Sequence, residues 1–475
     1  MAQPAIILIT CDELRRDALS FYGNQAVHTP NIDAIAKAGT AFDNAYTVSP
    51  LCLPARCSII TGRYPHRSGA YSNFRESPLK GGGRNLFTMM NGAGYTTSVI
   101  GKCHFAPADY GAAKAGLTLP NVKTEEYYKS LGMDTLILQD DKLGSLWFYD
   151  DYSRELDQAG YLAGYRERHW NGGHHFVYEF PGPAHLHPDA WVGAKATETI
   201  ARDDGAKPLF LWVSFSGPHY PFDAPKEYLE RVDQDKLPPR VFDPKEYESP
   251  GRIHFDSYHG GENTCADGCF QATGRACKNY DEDYWRRLRV SYHANMALID
   301  DYVGRIVAAV KEKYGDDYLL IFTADHGEML GDHGIWGKQD CAFDSVLRIP
   351  LFVKFPNRGA APRTGAMVNT CDLFPTFMEA AGEQPRGCDG KNLRVHMESG
   401  GLEYTFAESE GFVTATDGNM KYVHIQKWGG NFRELYDLRN DPYEYTNLAD
   451  DPAYAPALAA LREKVIEHFM PKVLP

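Results

Sequence analysis

The most informative stretch of this chain is Cys52-Leu53-Pro54-Ala55-Arg56-Cys57-Ser58-Ile59-Ile60-Thr61-Gly62-Arg63, which reads C-x-P-x-R followed by x4-T-G-R. Pro54 near its start predicts a short helix over residues 54–61. Because Arg56 follows Cys52 by four residues, a helix places both side chains on one face. A buried cysteine is often only a small hydrophobic residue, so this stretch indicates chemistry only if partners exist elsewhere in the chain.

Four predicted strands each end in a polar cluster. The strands cover Ile6 to Cys11, Thr96 to Ile100, Leu209 to Phe215 and Tyr318 to Thr323. The clusters are Asp12-Glu13, Lys102-Cys103-His104, Gly217-Pro218-His219 and Asp325-His326. Strands that alternate with helices predict an α/β fold with a parallel sheet covered by helices on both faces. Since sites in such sheets form beyond the carboxyl ends of the strands, we expect the four clusters on one rim.

The pattern changes near Thr405 to short strands, with Asp417-Gly418 as a hairpin turn. We therefore predict a large α/β domain over residues 1–400 and a smaller C-terminal antiparallel sheet packed by a terminal helix in residues 401–475. Two long segments, about 112–187 and 237–279, lose the strand and helix pattern. Long loops in compact domains tend to be functional, so these insertions are expected to cover the site at the rim of the sheet.

The composition restricts the partners. The chain has 475 residues, 63 acidic and 49 basic side chains, and a net charge of −14. This balance argues against nucleic acid or an anionic membrane as partner, and an anionic substrate would require positive charge concentrated at the site. No apolar run is long enough to span a membrane, no signal peptide is visible, and the ten cysteines are scattered. These features predict a cytoplasmic protein of bacterial type with reduced thiols.

Several motifs together resemble one known family. The stretch from Cys52 and the segment from Gly94-Tyr95-Thr96-Thr97 through Gly101-Lys102-Cys103-His104 resemble the two signatures of the type I sulfatases, formylglycine-dependent enzymes of the alkaline phosphatase superfamily. Thr323-Ala324-Asp325-His326-Gly327 is similar to the family's metal-binding strand end. The resemblance is strongest to the arylsulfatase, choline sulfatase and phosphonate monoester hydrolase branches. It implies an alkaline phosphatase-like fold: a large mixed, mostly parallel sheet sandwiched by helices.

The resemblance also implies a modified residue and a metal ion. In this family, the cysteine at the position of Cys52 is oxidised to formylglycine (3-oxoalanine) by a formylglycine-generating or other sulfatase-maturing enzyme. One hydroxyl of the hydrated aldehyde attacks sulfur, and the second expels the product. The implied ligands of one divalent ion are Asp12, Glu13, Asp325, His326 and the modified Cys52 oxygen. An oxygen-rich set suits Ca²⁺ first, with Mn²⁺ and Mg²⁺ left open.

Five further side chains are implied to be catalytic. They are Arg56, Lys102, His104, His219 and Lys338. Arg56 would hold the aldehyde hydrate, and the two lysines would neutralise the oxyanions. His104 would take the proton of the second hydroxyl, and His219 would lie near the leaving oxygen.

The substrate class depends on Lys102 and His104. Phosphonate monoester hydrolases carry Tyr and Thr at these positions, so Lys and His favour a small-molecule sulfate monoester. Asn73 lies where that branch has a substrate-contacting Asn and is predicted to bind substrate. Three alternatives are a phosphonate monoester or phosphodiester hydrolase on the same scaffold, a non-catalytic metal-binding member, and a two-zinc phosphotransferase relative. The alcohol of the substrate and a homo-oligomeric state are left open.

Overall fold

A computed structural model of the protein describes residues 3–73, 77–106, 122–171, 177–248, 252–260, 276–338, 340–361, 363–427 and 430–470. The described strands are β1 (Ala5–Asp12), β2 (Thr40–Tyr46), β3 (Thr96–Gly101), β4 (Thr135–Leu138), β5 (Leu209–Pro218), β6 (Tyr318–Ala324), β7 (Leu351–Lys354), β8 (Thr364–Asn369), β9 (Thr405–Ser409), β10 (Phe412–Thr416), β11 (Met420–Lys427) and β12 (Gly430–Asp437).

The described α-helices are α1 (Pro30–Ala38), α2 (Cys52–Thr61), α3 (Pro65–Ser68), α4 (Leu86–Gly92), α5 (Val122–Ser130), α6 (Lys142–Trp147), α7 (Asp151–Gln158), α8 (Leu162–Asn171), α9 (Pro188–Arg202), α10 (Lys226–Leu229), α11 (Phe255–His259), α12 (Glu282–Tyr314), α13 (Asp344–Leu347), α14 (Leu373–Ala380), α15 (Leu393–Ser399) and α16 (Ala455–Phe469). Among the described helices, none combines the length and the apolar character that crossing a membrane requires.

Eight strands form the large sheet, in the order β4-β3-β5-β1-β6-β7-β2-β8. Strand β7 is antiparallel to both of its neighbours, and the other strand pairs are parallel. Every residue of β1, β5 and β6 is buried. Parallel strands buried throughout require cover on both faces, which explains their continuous apolar sequences. The predicted mixed, mostly parallel α/β sheet is confirmed.

Helices reach the central strands from several parts of the chain. Helices α9 and α12 pack against each other and against β5. Gly193 permits this approach, since a Cβ atom there would lie 2.5 Å from the Cβ of Tyr302. Helix α14 reaches β5 through Phe377, whose ring centroid lies 5.7 Å from that of Phe210. The entirely buried helix α2 packs against α4 and α14, which fixes its N-terminal residue Cys52 within the core.

The second sheet is antiparallel, in the order β12-β11-β10-β9. Helix α16 packs on β10 and β11, and Leu461 joins Ala415, Tyr422 and Leu435 in a small separate core. The predicted C-terminal sheet with its terminal helix is confirmed, while the domain boundary at residue 400 stays a prediction. Of the two predicted insertions, residues 112–121, 172–176, 249–251 and 261–275 lie outside the described residues.

Candidate active site

The predicted polar clusters lie at the ends of four adjacent strands. Asp12 is the last residue of β1, Lys102 directly follows β3, His219 follows β5, and Asp325 follows β6. These strands are neighbours in the order β3-β5-β1-β6, so their carboxyl ends form one continuous rim. Cys52, the first residue of α2, is brought to the same rim. The sequence prediction of a shared rim is therefore met by the topology of the sheet.

Four potential ligands converge at this rim. One ligand atom each of Asp12, Cys52, Asp325 and His326 lies within 4.8 Å of the others, and all four residues are buried. The Cys52 Sγ atom is 3.1 Å from His326 Nε2 and 3.5 Å from Asp12 Oδ1. Two carboxylates and one imidazole form a donor set that suits a divalent ion such as Mn²⁺ or Ca²⁺.

The tautomer of His326 fits a metal ligand. Its Nδ1 atom lies 2.9 Å from the carbonyl oxygen of Gly327. A carbonyl only accepts hydrogen bonds, so Nδ1 carries the proton and Nε2 presents a lone pair to the ligand group. Burial lowers the pKa of His326, which keeps the ring neutral. Asp325 is fixed in turn, because its Oδ1 atom accepts the backbone N–H groups of Glu13 at 3.1 Å and of His326 at 2.9 Å.

Glu13 is not part of this group of four. Its carboxylate lies 3.2 Å from Lys338 Nζ and 3.5 Å from His219 Nε2. Its backbone has a φ of 66°, a left-handed conformation that is uncommon for a residue other than glycine. Burial raises the pKa of Glu13 well above its ordinary value; Lys338 opposes that shift, and Glu328 adds to it. Its role as a metal ligand stays a prediction.

Arg56 connects three of the strand ends. Its Nε atom donates to Asp325 Oδ2 at 2.9 Å, and its Nη1 atom donates to the Lys102 carbonyl at 2.9 Å and to Ser214 Oγ at 2.7 Å. The side chain is fully buried. Its Nη2 atom is buried and has no hydrogen-bond partner among the described residues. Both N–H bonds of Nη2 on this fully buried guanidinium thus lack a partner among the described residues.

Lys102 is paired with two carboxylates. Its Nζ atom contacts Asp12 Oδ2 and Asp141 Oδ2. Burial disfavours the charged ammonium, but Asp12 and Asp141 raise the pKa of Lys102 well above its ordinary value. Conversely, burial alone would raise the pKa of Asp12, and Lys102 lowers it well below the ordinary range. The Lys102 ammonium therefore neutralises Asp12, one of the predicted metal ligands.

His219 and Lys338 form a pair. Lys338 Nζ lies 2.7 Å from His219 Nε2, and His219 Nδ1 lies 2.5 Å from the carbonyl oxygen of Tyr220. The carbonyl requires a proton on Nδ1, so Nε2 accepts from the ammonium. Burial and the positive charge of Lys338 lower the pKa of His219 well below its ordinary value. The imidazole is consequently neutral, and the charge of the pair resides on Lys338.

His104 and Asn73 lie beside these groups. Asp140 Oδ1 accepts the backbone N–H of His104 at 2.8 Å and holds that residue at a φ of 48°. Burial of the ring and the charge of Lys102 lower the pKa of His104 to about 3, and its buried Nδ1 atom has no hydrogen-bond partner among the described residues. Asn73 Oδ1 accepts the backbone N–H of Leu53 at 2.9 Å, which ties its side chain to the first turn of α2.

Comparison with known proteins identifies the family. The family model described as Sulfatase matches residues 4–383. The chain belongs to the sulfatase family. A second model, described as N-sulphoglucosamine sulphohydrolase, C-terminal, matches residues 331–470 of this sulfatase. The two matches together extend over both sheets.

Individual relatives agree with this assignment. An arylsulfatase of Clostridium perfringens is 27% identical over 498 residues, covering 98% of this chain and 94% of that protein. A choline-sulfatase of Rhizobium meliloti is 28% identical, covering 95% of this chain and 83% of that protein. The crystal structure of the phosphonate monoester hydrolase of Agrobacterium radiobacter has a TM-score of 0.77 at 25% identity, covering 98% of this chain and 95% of that one. The protein is a sulfatase enzyme, as predicted.

Sequence reasoning missed four residues that hold the rim of this sulfatase together. They are Asp140, Asp141, Ser214 and Glu328. The two aspartates follow Thr135–Leu138, so they repeat the signal of an apolar strand followed by a polar cluster. That signal was available but lay inside the segment predicted to be an insertion. Glu328 Oε1 accepts the backbone N–H of Gly337 at 2.6 Å and so fixes the chain next to Lys338.

Proposed function

We propose that this sulfatase hydrolyses a small-molecule sulfate monoester with one divalent metal ion and a formylglycine derived from Cys52. The observation that carries the proposal is the position of Cys52, whose Sγ atom lies among three metal-type ligands at the start of a buried helix. Burial and the charge of Asp12 raise the pKa of the Cys52 thiol well above its ordinary value. An unmodified thiol at this position would be a poor nucleophile. This supports the proposal that a maturing enzyme converts Cys52 to formylglycine.

Two groups would add chemistry that the unmodified side chains lack. Formylglycine would supply a hydrated aldehyde, with one hydroxyl to attack and one to release the product. A divalent ion held by Asp12, Asp325, His326 and the modified Cys52 would act as a Lewis acid towards a sulfate oxygen. The donor set and the His326 tautomer fit such an ion.

The side chains around Cys52 would position the reacting groups. Arg56 has a buried Nη2–H without a partner among the described residues, and this donor can hold an oxygen on the Cys52 carbon. Lys102 and Lys338 lie on two sides of the rim and can stabilise the charge that develops on oxygen atoms of the substrate. Stabilisation of this kind is usually the largest single contribution to catalysis.

Proton transfer as the product leaves would fall to His104, while His219 would act through Lys338. The lowered pKa of His104 leaves a neutral ring with an unpartnered Nδ1, which can accept a proton as product leaves. His219 accepts a hydrogen bond from Lys338 and lacks a proton on Nε2. We therefore expect the Lys338 ammonium, and not a protonated histidine, to stabilise the leaving oxygen. His219 would orient this ammonium by accepting its hydrogen bond.

Mass spectrometry of the peptide that contains Cys52 tests the modification. Protein expressed together with a maturing enzyme should carry an aldehyde in place of the thiol at this residue. Cys52→Ala should keep the circular dichroism spectrum and lose turnover. Fully active protein that contains only unmodified cysteine at this position would overturn the proposal.

A substrate panel tests the reaction class against the second candidate, a phosphonate monoester or phosphodiester hydrolase. The structural similarity to a phosphonate monoester hydrolase supports that candidate. Lys102 and His104 favour the sulfate ester, because a diester brings a second ester group towards a charged, buried lysine. Losing one such charge contact costs about 3 kcal/mol, or roughly a hundredfold in rate. We expect kcat/KM for 4-nitrophenyl sulfate to exceed that for the phosphonate ester and the diester, and the reverse order would promote the second candidate.

A further inference from the structure

A second group of ligand-type side chains lies outside the catalytic rim. It consists of His66 on α3, Glu408 on β9 and His468 in the last turn of α16. One ligand atom of each residue lies within 4.8 Å of the other two. We call these three residues the His-Glu-His cluster. The proposed catalysis uses none of them.

The carboxylate of Glu408 lies between the two imidazoles. Its Oε1 atom is 2.8 Å from His66 Nδ1 and 2.5 Å from His468 Nε2. Its Oε2 atom accepts the backbone N–H of His66 at 2.9 Å, which fixes the orientation of the carboxylate. The Glu408 side chain is 1% exposed, whereas the His66 side chain is 16% exposed. The three ligand atoms therefore converge, and one side of the cluster remains open to solvent.

Aromatic side chains hold His468 in place. Its ring stacks on Phe406 with centroids 4.0 Å apart and an angle of 13° between the planes. Tyr64 meets the same ring edge-on at 4.5 Å, and the His66 ring lies 4.7 Å away. An imidazole restrained on two sides loses little additional freedom when it binds a ligand. Such support from neighbouring side chains is typical of sites that bind metal ions tightly.

We propose that the His-Glu-His cluster binds one divalent transition metal ion, separate from the ion of the catalytic rim. Two imidazole nitrogens and one carboxylate oxygen form a donor set that suits Zn²⁺ and Co²⁺ better than Ca²⁺, which prefers oxygen ligands. Three protein ligands and a solvent-facing side leave a coordination position for water. The ion would join α16 to the segment that directly follows α2, and so fasten the C-terminal helix to the catalytic sheet.

Cobalt binding by the full chain tests this proposal, with Co²⁺ itself as the probe. Asp325→Asn weakens the catalytic group, so the remaining binding reports the His-Glu-His cluster. We expect this variant to bind one Co²⁺ per chain, measured by elemental analysis and visible absorption, and its thermal midpoint to rise with Co²⁺. Adding Glu408→Gln, which keeps the shape and removes the charge, should abolish the bound ion. Adding His28→Gln, at an exposed histidine elsewhere, should leave it in place.

Either of two results would overturn the proposal. One is a folded Asp325→Asn protein that binds no Co²⁺, which would show that the three residues only form hydrogen bonds with one another. The other is undiminished binding after Glu408→Gln. Should Asp325→Asn fail to fold, the wild-type chain is compared with His468→Ala, and the variant should bind one Co²⁺ fewer. The readout is stoichiometry, so a chain without sulfatase activity still gives a clear answer, and failure of the proposed reaction is told apart from failure of the second site.

Discussion

Replacing Arg56 by lysine keeps a positive charge in the core and removes the forked guanidinium. The wild-type side chain is 0% exposed. It donates to Asp325 at 2.9 Å, to the Lys102 carbonyl at 2.9 Å and to Ser214 Oγ at 2.7 Å. A lysine ammonium sits on a shorter side chain and cannot span three strand ends at once. We expect it to retain the ion pair with Asp325 and to lose the other two contacts.

The lost contacts set the size of the effect. Ser214 Oγ keeps a contact with the Thr10 hydroxyl at 3.3 Å, while the buried Lys102 carbonyl loses its charged donor. A buried polar group left without a partner costs about 1–3 kcal/mol, and a hydrogen bond to a charged group contributes about 1.5–3 kcal/mol. The free energy of unfolding should therefore fall by about 2–4 kcal/mol. A shift of Asp325 by about 1 Å would lower kcat/KM by roughly a hundredfold.

Urea unfolding followed by near-ultraviolet circular dichroism measures the first quantity, and hydrolysis of 4-nitrophenyl sulfate measures the second. Arg202→Lys is the matched control, because the Arg202 side chain is 81% exposed and its replacement should change the free energy of unfolding by no more than about 0.5 kcal/mol. An Arg56→Lys protein as stable as the control would refute the role of the three contacts. A destabilised variant with wild-type kcat/KM would show that Arg56 does not position Asp325 for catalysis.

Asn73, the proposed metal ligands and the Lys102–Asp141 ion pair can each be tested separately. Asn73→Ala removes the acceptor for a backbone N–H at the start of α2, so it should lower both kcat/KM and the free energy of unfolding, the latter by about 1 kcal/mol in urea titrations. Wild-type values for both quantities would contradict this prediction. Chelation should abolish hydrolysis, and one equivalent of Ca²⁺ or Mn²⁺ should restore it. Asp325→Ala should lower kcat/KM more than Glu13→Gln; equal losses would indicate that Glu13 is as important for metal binding as Asp325. Asp141→Asn removes one of the two carboxylates that contact Lys102 and should lower kcat/KM about tenfold, with an unchanged far-ultraviolet circular dichroism spectrum. An unchanged kcat/KM would show that this ion pair has only a structural role.

The sequence predicted the central part of the sheet because its strands are buried on both faces. Strands β1, β5 and β6 are mostly apolar runs, so their existence could be read directly, although β5 continues to Pro218, beyond its predicted end at Phe215. Strands β2, β4, β7 and β8 of the large sheet were not predicted. Strand β2 contains Asp43 and Asn44, which are only half-buried, and β7 has four residues, so neither shows the length or the pattern of an independent strand.

The identities of the rim residues were predictable, but their pairing was not. Lys102 was expected to face the substrate, and the structure pairs it with Asp12 and Asp141. Ion pairs between residues so far apart in sequence depend on the order of the strands, which a single sequence does not specify. Likewise, His219 was expected near the leaving oxygen, but its contact with Lys338 was not predicted; burial and this contact lower the pKa of His219 and keep the ring neutral.

The charges of the rim explain why an acidic sulfatase would need a divalent ion. Each buried cation already has a carboxylate partner: Arg56 pairs with Asp325, Lys102 with Asp12 and Asp141, and Lys338 with Glu13. Three cations against four carboxylates leave this set with one negative charge, or with none where the raised pKa of Glu13 keeps that carboxyl protonated. The nearby histidines add no charge, because burial lowers their pKa values. The side chains alone therefore give the rim no net positive charge to attract a sulfate ester. A divalent ion bound by the proposed ligands would add two positive charges and turn the rim from neutral or negative to positive.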